Sequence, residues 1–149
     1  DHGSWSVLKH VYPHADVPVI EMSINYTQNA EWHFDLAKEL AVLRNKGVLI
    51  LGSGNMVHNL RMLDFNHTGG FDWAIEAADT MKKLIAERNF KALTDYNKLG
   101  KPVQLAVPTP EHYLPLIYTL GLAGEREEIL LFNDKAEAGS ITMTSLKIG

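Results

Sequence analysis

Three histidines stand in surroundings that suggest chemistry. His58 follows the glycine-rich stretch Gly52-Ser53-Gly54, His112 follows the Thr109-Pro110 pair, and His2 lies at the start of the sequence. Imidazole is the commonest transition-metal ligand and the commonest general base near neutral pH. The sequence therefore makes these three residues candidates for metal binding or proton transfer.

The spacing of these histidines leaves several interpretations open, because it matches no short metal-binding motif. A metal site is one interpretation. A phosphate held by the Gly-Ser-Gly stretch is a second, although neither a GxGxxG string nor a Walker lysine accompanies it. A protein whose histidines only pack in the core is a third. The other histidines favour ordinary roles: His10, His14 and His67 as solvated side chains, and His33 as a half-buried residue on a helix face.

Composition narrows the classes of function. The chain has 149 residues, of which 46% are hydrophobic, so it can form one domain with a sizeable core. A net charge of −4 argues against a nucleic-acid surface, which requires a basic patch. Cysteine is absent, so any metal must be held by His, Asp, Glu or backbone oxygen. The lack of disulfides favours the cytoplasm, and no apolar run approaches the roughly 20 residues of a membrane span.

The first third of the chain predicts a strand, a helix and a second strand. Residues 17–24 are apolar and β-branched, and residues 48–51 form a short continuous apolar run. Between them, apolar residues recur at helical spacing over residues 30–46, with Asn29 as the N-cap and Gly47 at the end. This order is typical of a βαβ unit, so the predicted fold is mixed α/β, with a partly parallel sheet flanked by helices.

The remaining elements place the candidate histidines. Helices are predicted over residues 71–88, over 89–96 and from Thr109-Pro110 onward, with strands at 129–132 and 141–148. Pro115 fits least well, because it falls inside the last predicted helix. Ligands of open α/β sheets gather at the C-terminal ends of the strands, and Gly52 and Gly54 would let the backbone turn sharply and approach a ligand. We therefore expect His58 at this edge and His112 in the first turn of the last helix.

Four strings occur along the chain in a fixed order: DHGSWSVLKHVYPHADVPVIEMSI, GSGNMVHNLR, FDWA and PTPEHYLPLIYTLG. Together with the ending SITMTSLKIG, they closely resemble the C-terminal part of the class III extradiol ring-cleavage dioxygenases. The nearest branch looks like the DOPA extradiol dioxygenases of bacteria and plants. The resemblance covers nearly all of the chain.

The resemblance implies a particular chemistry. Members of this family use non-haem Fe(II), sometimes replaced by zinc in purified protein, to open a catechol ring with O2. By motif, His58 matches the active-site histidine that acts as acid or base and is also described as associated with the metal. His112 matches a metal ligand, and His2 matches a histidine near the dioxygen that either contacts the substrate or supports the residues that do. That Asn55 and Asn59 orient the loop and the imidazole is our own inference.

The chain also departs from the family pattern. The family takes two further histidines from its N-terminal half, in Gly-His-Gly and Ser-Ala-His types of motif, and neither string occurs here. We therefore expect residues 1–149 to be the C-terminal part of the catalytic domain and, alone, to bind metal weakly and to be inactive. The expected absence of the other half would expose the strands at 17–24 and 48–51, so the isolated polypeptide should aggregate or bind that half.

Two further functions use the same residues. A metal-dependent hydrolase or a metal-free binding protein could share the superfold, since a fold does not determine a function. A small-molecule or partner-binding module would retain its function after loss of His58 and His112. The sequence leaves open which catechol is cleaved, at which bond, with which native metal and in which oligomeric state.

Overall fold

A computed structural model of the chain describes residues 2–149. Helices precede a small region of strands. The helices are α1 (His2–Val11), α2 (Ala30–Leu40), α3 (Asp72–Ala86), α4 (Phe90–Thr94), α5 (Lys101–Ala106) and α6 (Leu114–Gly121). The strands are β1 (Ile129–Phe132), β2 (Ala136–Glu137), β3 (Ile141–Thr142) and β4 (Ser145–Ile148). Short 3-10 helices cover Ala41–Lys46, Leu60–Met62 and Tyr96–Lys98.

The strands form two antiparallel pairs. Strand β1 pairs with β4, and β2 pairs with β3. Two isolated bridges extend this region: His58 pairs with Ile141 in the antiparallel sense, and Gly70 pairs with Gly139 in the parallel sense. The chain is thus mixed α/β, as predicted, and β3 is the strand that reaches the His58 segment.

The core lies between the helices. Helix α2 packs on α6, and α3 packs on α5. Small residues on α3 allow close packing, since Ala74 and Ala77 are fully buried beside Met81. Ile117 and Leu120 of α6 complete this core from the other side. Helix α6 is therefore held firmly, and so is the turn that precedes it.

Local signals determine two helices as predicted. The side chain of Asn29 accepts a hydrogen bond from the Trp32 amide at 2.9 Å and begins α2. Gly47, at φ +77°, ends the helical stretch after Lys46. Helix α3 lies within the predicted range 71–88, and α4 lies within 89–96.

The predicted strands at 17–24 and 48–51 are wrong for this chain. Both segments lie outside every helix and strand of residues 2–149, so the predicted βαβ unit does not form here. Strand geometry requires a partner for the backbone amide and carbonyl groups, and no described strand pairs with either segment. Their apolar side chains are consequently exposed: Ile20 is 93% exposed and Leu49 is 61% exposed.

The predicted strand at 141–148 is interrupted, since β3 ends at Thr142 and β4 begins at Ser145. The helix predicted from Thr109 also begins later than expected, at Leu114. The Pro110 carbonyl accepts hydrogen bonds from the amides of Tyr113 and Leu114, each at 2.9 Å, and closes a turn before the helix. Pro115 therefore lies in the first turn of α6, where its missing N–H has no intrahelical partner to lose.

Candidate functional site

The segment that carries His58 is anchored on two sides. The His58 amide donates to the Ala106 carbonyl at the end of α5, at 2.9 Å, and His58 bridges to Ile141 of β3. The carbonyl of Val57 accepts from the Thr142 amide at 3.2 Å. Val57 itself is fully buried. His58 thus stands at the end of a clamped segment, with its side chain partly buried.

Gly52 and Gly54 bring this segment against the start of α6. A Cβ on Gly52 would lie 2.6 Å from Thr119 Oγ1 and 2.7 Å from the Pro115 carbonyl oxygen. A Cβ on Gly54 would overlap the carbonyl oxygen of His112. The glycines therefore allow a close approach to the protein's own chain, to both backbone and side-chain atoms around the start of α6. Their predicted approach to a ligand stays a prediction, and neither glycine has the positive φ of a sharp glycine turn.

The two loops bring His58 and His112 together. Their rings are stacked, with centroids 3.8 Å apart and planes inclined by 27°. His112 lies in the turn before α6 and is exposed, rather than in the first turn of the helix as predicted. Its neighbour Tyr113 is buried, and the Tyr113 hydroxyl donates to the Leu93 carbonyl at 2.9 Å. This anchor restrains the backbone that presents the His112 ring.

Asn59 secures the other side of His58. Its Nδ2 donates to the Leu105 carbonyl at 2.8 Å, and its Oδ1 accepts from the Arg61 amide at 3.2 Å. The Ser140 hydroxyl donates to the Asn59 carbonyl at 2.8 Å. Asn59 and Ser140 are both buried, so these bonds are shielded from water. This supports the inference from the sequence that Asn59 orients the loop.

Electrostatics favour a neutral His58. Partial burial lowers the pKa of His58, the charge of nearby His112 lowers it further, and Glu111 partly opposes the effect. Two imidazolium rings in a stack would repel each other, so the pair does not readily hold two protons. At neutral pH, His58 is therefore available to accept a proton.

Glu111 is a residue that the sequence reasoning missed. Burial raises the pKa of this carboxyl, but a hydrogen bond from Thr109 and the charges of His112 and His58 outweigh burial, so the pKa lies below its usual range. The Thr109 hydroxyl donates to Glu111 Oε1 at 2.6 Å. The adjacent letters Glu-His in PTPEHYLP were the available signal.

The other histidines lie elsewhere. The side chain of His2 is outside the described residues, so its predicted role stays a prediction. His10 and His14 are exposed, as expected. His67 is not simply solvated, because its ring packs on Phe71 with centroids 4.5 Å apart. His33 is fully buried rather than half-buried.

Known proteins are similar to this chain in sequence. Residues 1–141 match the family described as the catalytic LigB subunit of aromatic ring-opening dioxygenase. The chain belongs to the LigB family. It is 37% identical to the 4,5-DOPA dioxygenase extradiol of Escherichia coli K12, over 100% of this chain and 56% of that protein. It is 31% identical to the protein of the same name from Beta vulgaris, over 99% of this chain and 55% of that protein.

A solved structure has the same fold. The crystal structure of uncharacterized protein JW3007 from Escherichia coli K12 superposes with a TM-score of 0.84 at 35% identity, over 100% of this chain and 62% of that one. The chain therefore spans a little over half the length of the LigB-family relatives that it matches. The resemblance to DOPA extradiol dioxygenases expected from the motifs is confirmed.

The described side chains do not by themselves fit a metal. No group of three or more His, Asp or Glu residues that could hold an ion occurs among residues whose side chains the structure describes. His58 and His112 stack face to face, whereas two imidazole ligands must point a ring nitrogen each at one ion from roughly 2 Å. A complete metal site of the LigB family would need ligands beyond these two rings.

Among residues 2–149, no helix combines the length and the apolar character that crossing a bilayer would require.

Proposed function

We propose that the protein containing this chain is an extradiol dioxygenase that opens the ring of a DOPA-like catechol with O2. Membership of the LigB family supports the class of reaction, and the names of the relatives support the substrate class. The observation that carries the proposal is the stacked pair of His58 and His112, which two clamped loops hold together. This pair corresponds to the residues to which the sequence motifs assign chemistry.

His58 would serve as the acid and base. Because burial and His112 lower its pKa, a ring nitrogen of His58 is unprotonated at neutral pH and can accept the proton of a catechol hydroxyl. The same nitrogen would return the proton when the opened product forms. His112 is exposed beside His58 and would be the member of the pair that faces the substrate. His2 is proposed to contact the catechol, on the resemblance alone.

The proposed cofactor is Fe(II), with zinc as a substitute in purified protein. His112 is the proposed ligand from this chain, and the resemblance also associates His58 with the metal. Because a neutral imidazole has one free lone pair, His58 would serve either as a ligand or as the acid–base group. The described side chains supply no third ligand. Fe(II) chemistry of this type requires open coordination positions beside a small set of protein ligands.

The chain is proposed to be the C-terminal part of the catalytic domain, acting in the cytoplasm. It spans 55–56% of the relatives' length, and its segments 17–24 and 48–51 expose apolar side chains such as Ile20 and Leu49. An exposed apolar segment without a strand partner is suited to pairing with another stretch of polypeptide. We therefore expect the isolated chain of residues 1–149 to aggregate or to need a second part.

The decisive experiment uses the full-length protein, loaded anaerobically with Fe(II) and mixed with DOPA or a simpler catechol in air. O2 consumption and the yellow absorbance of a ring-opened semialdehyde should rise together. Both signals should disappear in His58→Ala and His112→Ala, while His10→Ala and His14→Ala serve as controls because these side chains are exposed. Absence of O2 uptake with every catechol, despite bound iron, would reject the proposal and direct attention to hydrolase substrates.

A further inference from the structure

One carboxamide links the two histidine loops to strand β3. The backbone amide of Asn55 donates to the His112 carbonyl at 2.6 Å. The side-chain Nδ2 of Asn55 donates to the Thr142 carbonyl at 2.6 Å. Three segments of the chain, which carry His58, His112 and Thr142, therefore meet at this residue.

The other end of the carboxamide also has its partners. Asn55 Oδ1 accepts from the Val57 amide at 3.1 Å and from the Thr142 hydroxyl at 3.2 Å. The bond to Val57 closes a turn, a common role for asparagine. Thr142 is 2% exposed and Val57 is fully buried, so little water competes for these bonds. The turn that ends at His58 is thus closed locally and tied to β3 at the same time.

We propose that Asn55 is a positioning residue, whose carboxamide holds the His58 ring at its stacking distance from His112. The proposal rests on the proposed function, because it names what keeps the acid–base histidine in place. Asn55 acts through the backbone of residues 55–58 and requires no contact with substrate.

Asparagine is the residue type that these partners require. The site needs one N–H donor for the Thr142 carbonyl and one oxygen that accepts from both Val57 and the Thr142 hydroxyl. Aspartate offers no donor, and serine has a single short hydroxyl. Alanine keeps the backbone bond to His112 and loses every side-chain bond. Different substitutions of Asn55 can therefore distinguish the hydrogen bond that closes the turn from the hydrogen bonds that reach β3.

The first test is kinetic and uses the full-length protein with a catechol. Asn55→Ala should lower kcat on the order of 100-fold, the size of effect expected when a reacting group is misplaced by about 1 Å. KM should change by less than about threefold, because the residue does not bind substrate. Asn29→Ala is the matched control, since it removes a carboxamide that caps a helix carrying neither His58 nor His112. A fall in kcat no larger than that of Asn29→Ala would overturn the proposal.

The second test requires no activity. In the metal-free, isotope-labelled protein, nuclear Overhauser effects between the rings of His58 and His112 should be present in the wild type. They should be lost or weakened in Asn55→Ala and retained in Asn29→Ala. Unchanged ring contacts in Asn55→Ala would overturn the proposal even if the protein cleaves catechols, and loss of the contacts would support it even if no catechol reacts.

Asn55→Ser keeps the test decisive if the alanine variant does not fold. A serine hydroxyl can still accept from the Val57 amide, but it does not span the link to Thr142. We expect Asn55→Ser to fold and to show the same loss of kcat and of ring contact. Full recovery of both by serine would show that the local turn alone is sufficient, and the link to β3 would be rejected as the positioning element.

Discussion

His33 and His58 differ in how completely their rings are bonded. His33 lies on α2, is fully buried, and has a partner at both ring nitrogens: the Tyr118 hydroxyl at 2.9 Å and the Asn25 carbonyl at 3.1 Å. A carbonyl only accepts, so Nε2 carries the proton and the Tyr118 hydroxyl donates to Nδ1. His58 and His112 instead stack on each other at a surface.

This contrast separates a histidine that holds the fold from one that is available for reaction. The His33 ring links α2 to α6 and to the chain before α2, and its bonding capacity is used. The exposed ring of His112 hydrogen-bonds no other described residue, although its backbone is firmly held. A held backbone with unbonded ring nitrogens leaves the His112 side chain able to bind a ligand or substrate at a fixed place in the fold.

Replacing each of the two histidines by alanine gives the largest expected effects. His58→Ala should reduce turnover by roughly 100- to 10,000-fold, the usual contribution of an acid–base group, with little change in the free energy of unfolding. His33→Ala should leave the folded fraction active but lower the free energy of unfolding by about 2–4 kcal/mol, from a cavity and an unsatisfied Tyr118 hydroxyl. Denaturant titration and kcat on the same samples test both. The comparison fails if His33→Ala loses turnover while remaining folded.

Gly54→Ala addresses the rigid backbone beside the pair. Its Cβ would overlap the His112 carbonyl oxygen, so the two loops must separate. Overpacking of this kind costs about 1–3 kcal/mol, and we expect a lower melting temperature together with reduced turnover. Ser53→Ala is the control, because position 53 is exposed and should change stability by less than about 0.5 kcal/mol. Wild-type values in Gly54→Ala would contradict the close contact.

The smallest effect concerns the pH dependence of stability. Burial lowers the pKa of His33, so the unfolded chain binds a proton at pH values where the folded protein does not. The resulting stability is fully present above about pH 6.5 and is lost as the pH falls through the lower folded-state pKa. His33→Gln should therefore flatten the decline of the unfolding free energy below about pH 6.5, as measured by denaturant titration at several pH values. Part of the decline in the unfolding free energy should remain in His33→Gln, because the pKa of His58 is also lowered. An unchanged slope would show that His33 does not titrate in this range.

Short-range signals made parts of the fold predictable. The Asn29 cap, the left-handed Gly47 and the apolar periodicity of α3 are encoded within a few neighbouring residues. That residues 17–24 and 48–51 form no strand was not predictable in this way, because a strand exists only with a partner. Strand-like residues without one remain exposed, as Ile20 does.

The candidate site and the residues around it were predictable only in part. Motif resemblance identified His58 and His112, and the structure brings them together. The burial of His33 could not be read from its helix, because it depends on Tyr118, which lies 85 positions further along the chain. The later start of α6 depends on the competing turn at Pro110, whose carbonyl takes the amides of Tyr113 and Leu114. The burial of His33 thus depends on a tertiary contact that a local pattern does not encode, whereas the start of α6 depends on a local turn that competes with the helix.

The close approach at Gly52 and Gly54 also has a genetic consequence. Every single-base change of a glycine codon that alters the protein introduces a side chain with a Cβ or a stop codon. At these two positions such a Cβ would meet Thr119, Pro115 or His112. Every missense mutation at these two positions is therefore expected to be disruptive, and alleles of the gene should vary at residue 53 while residues 52 and 54 remain glycine.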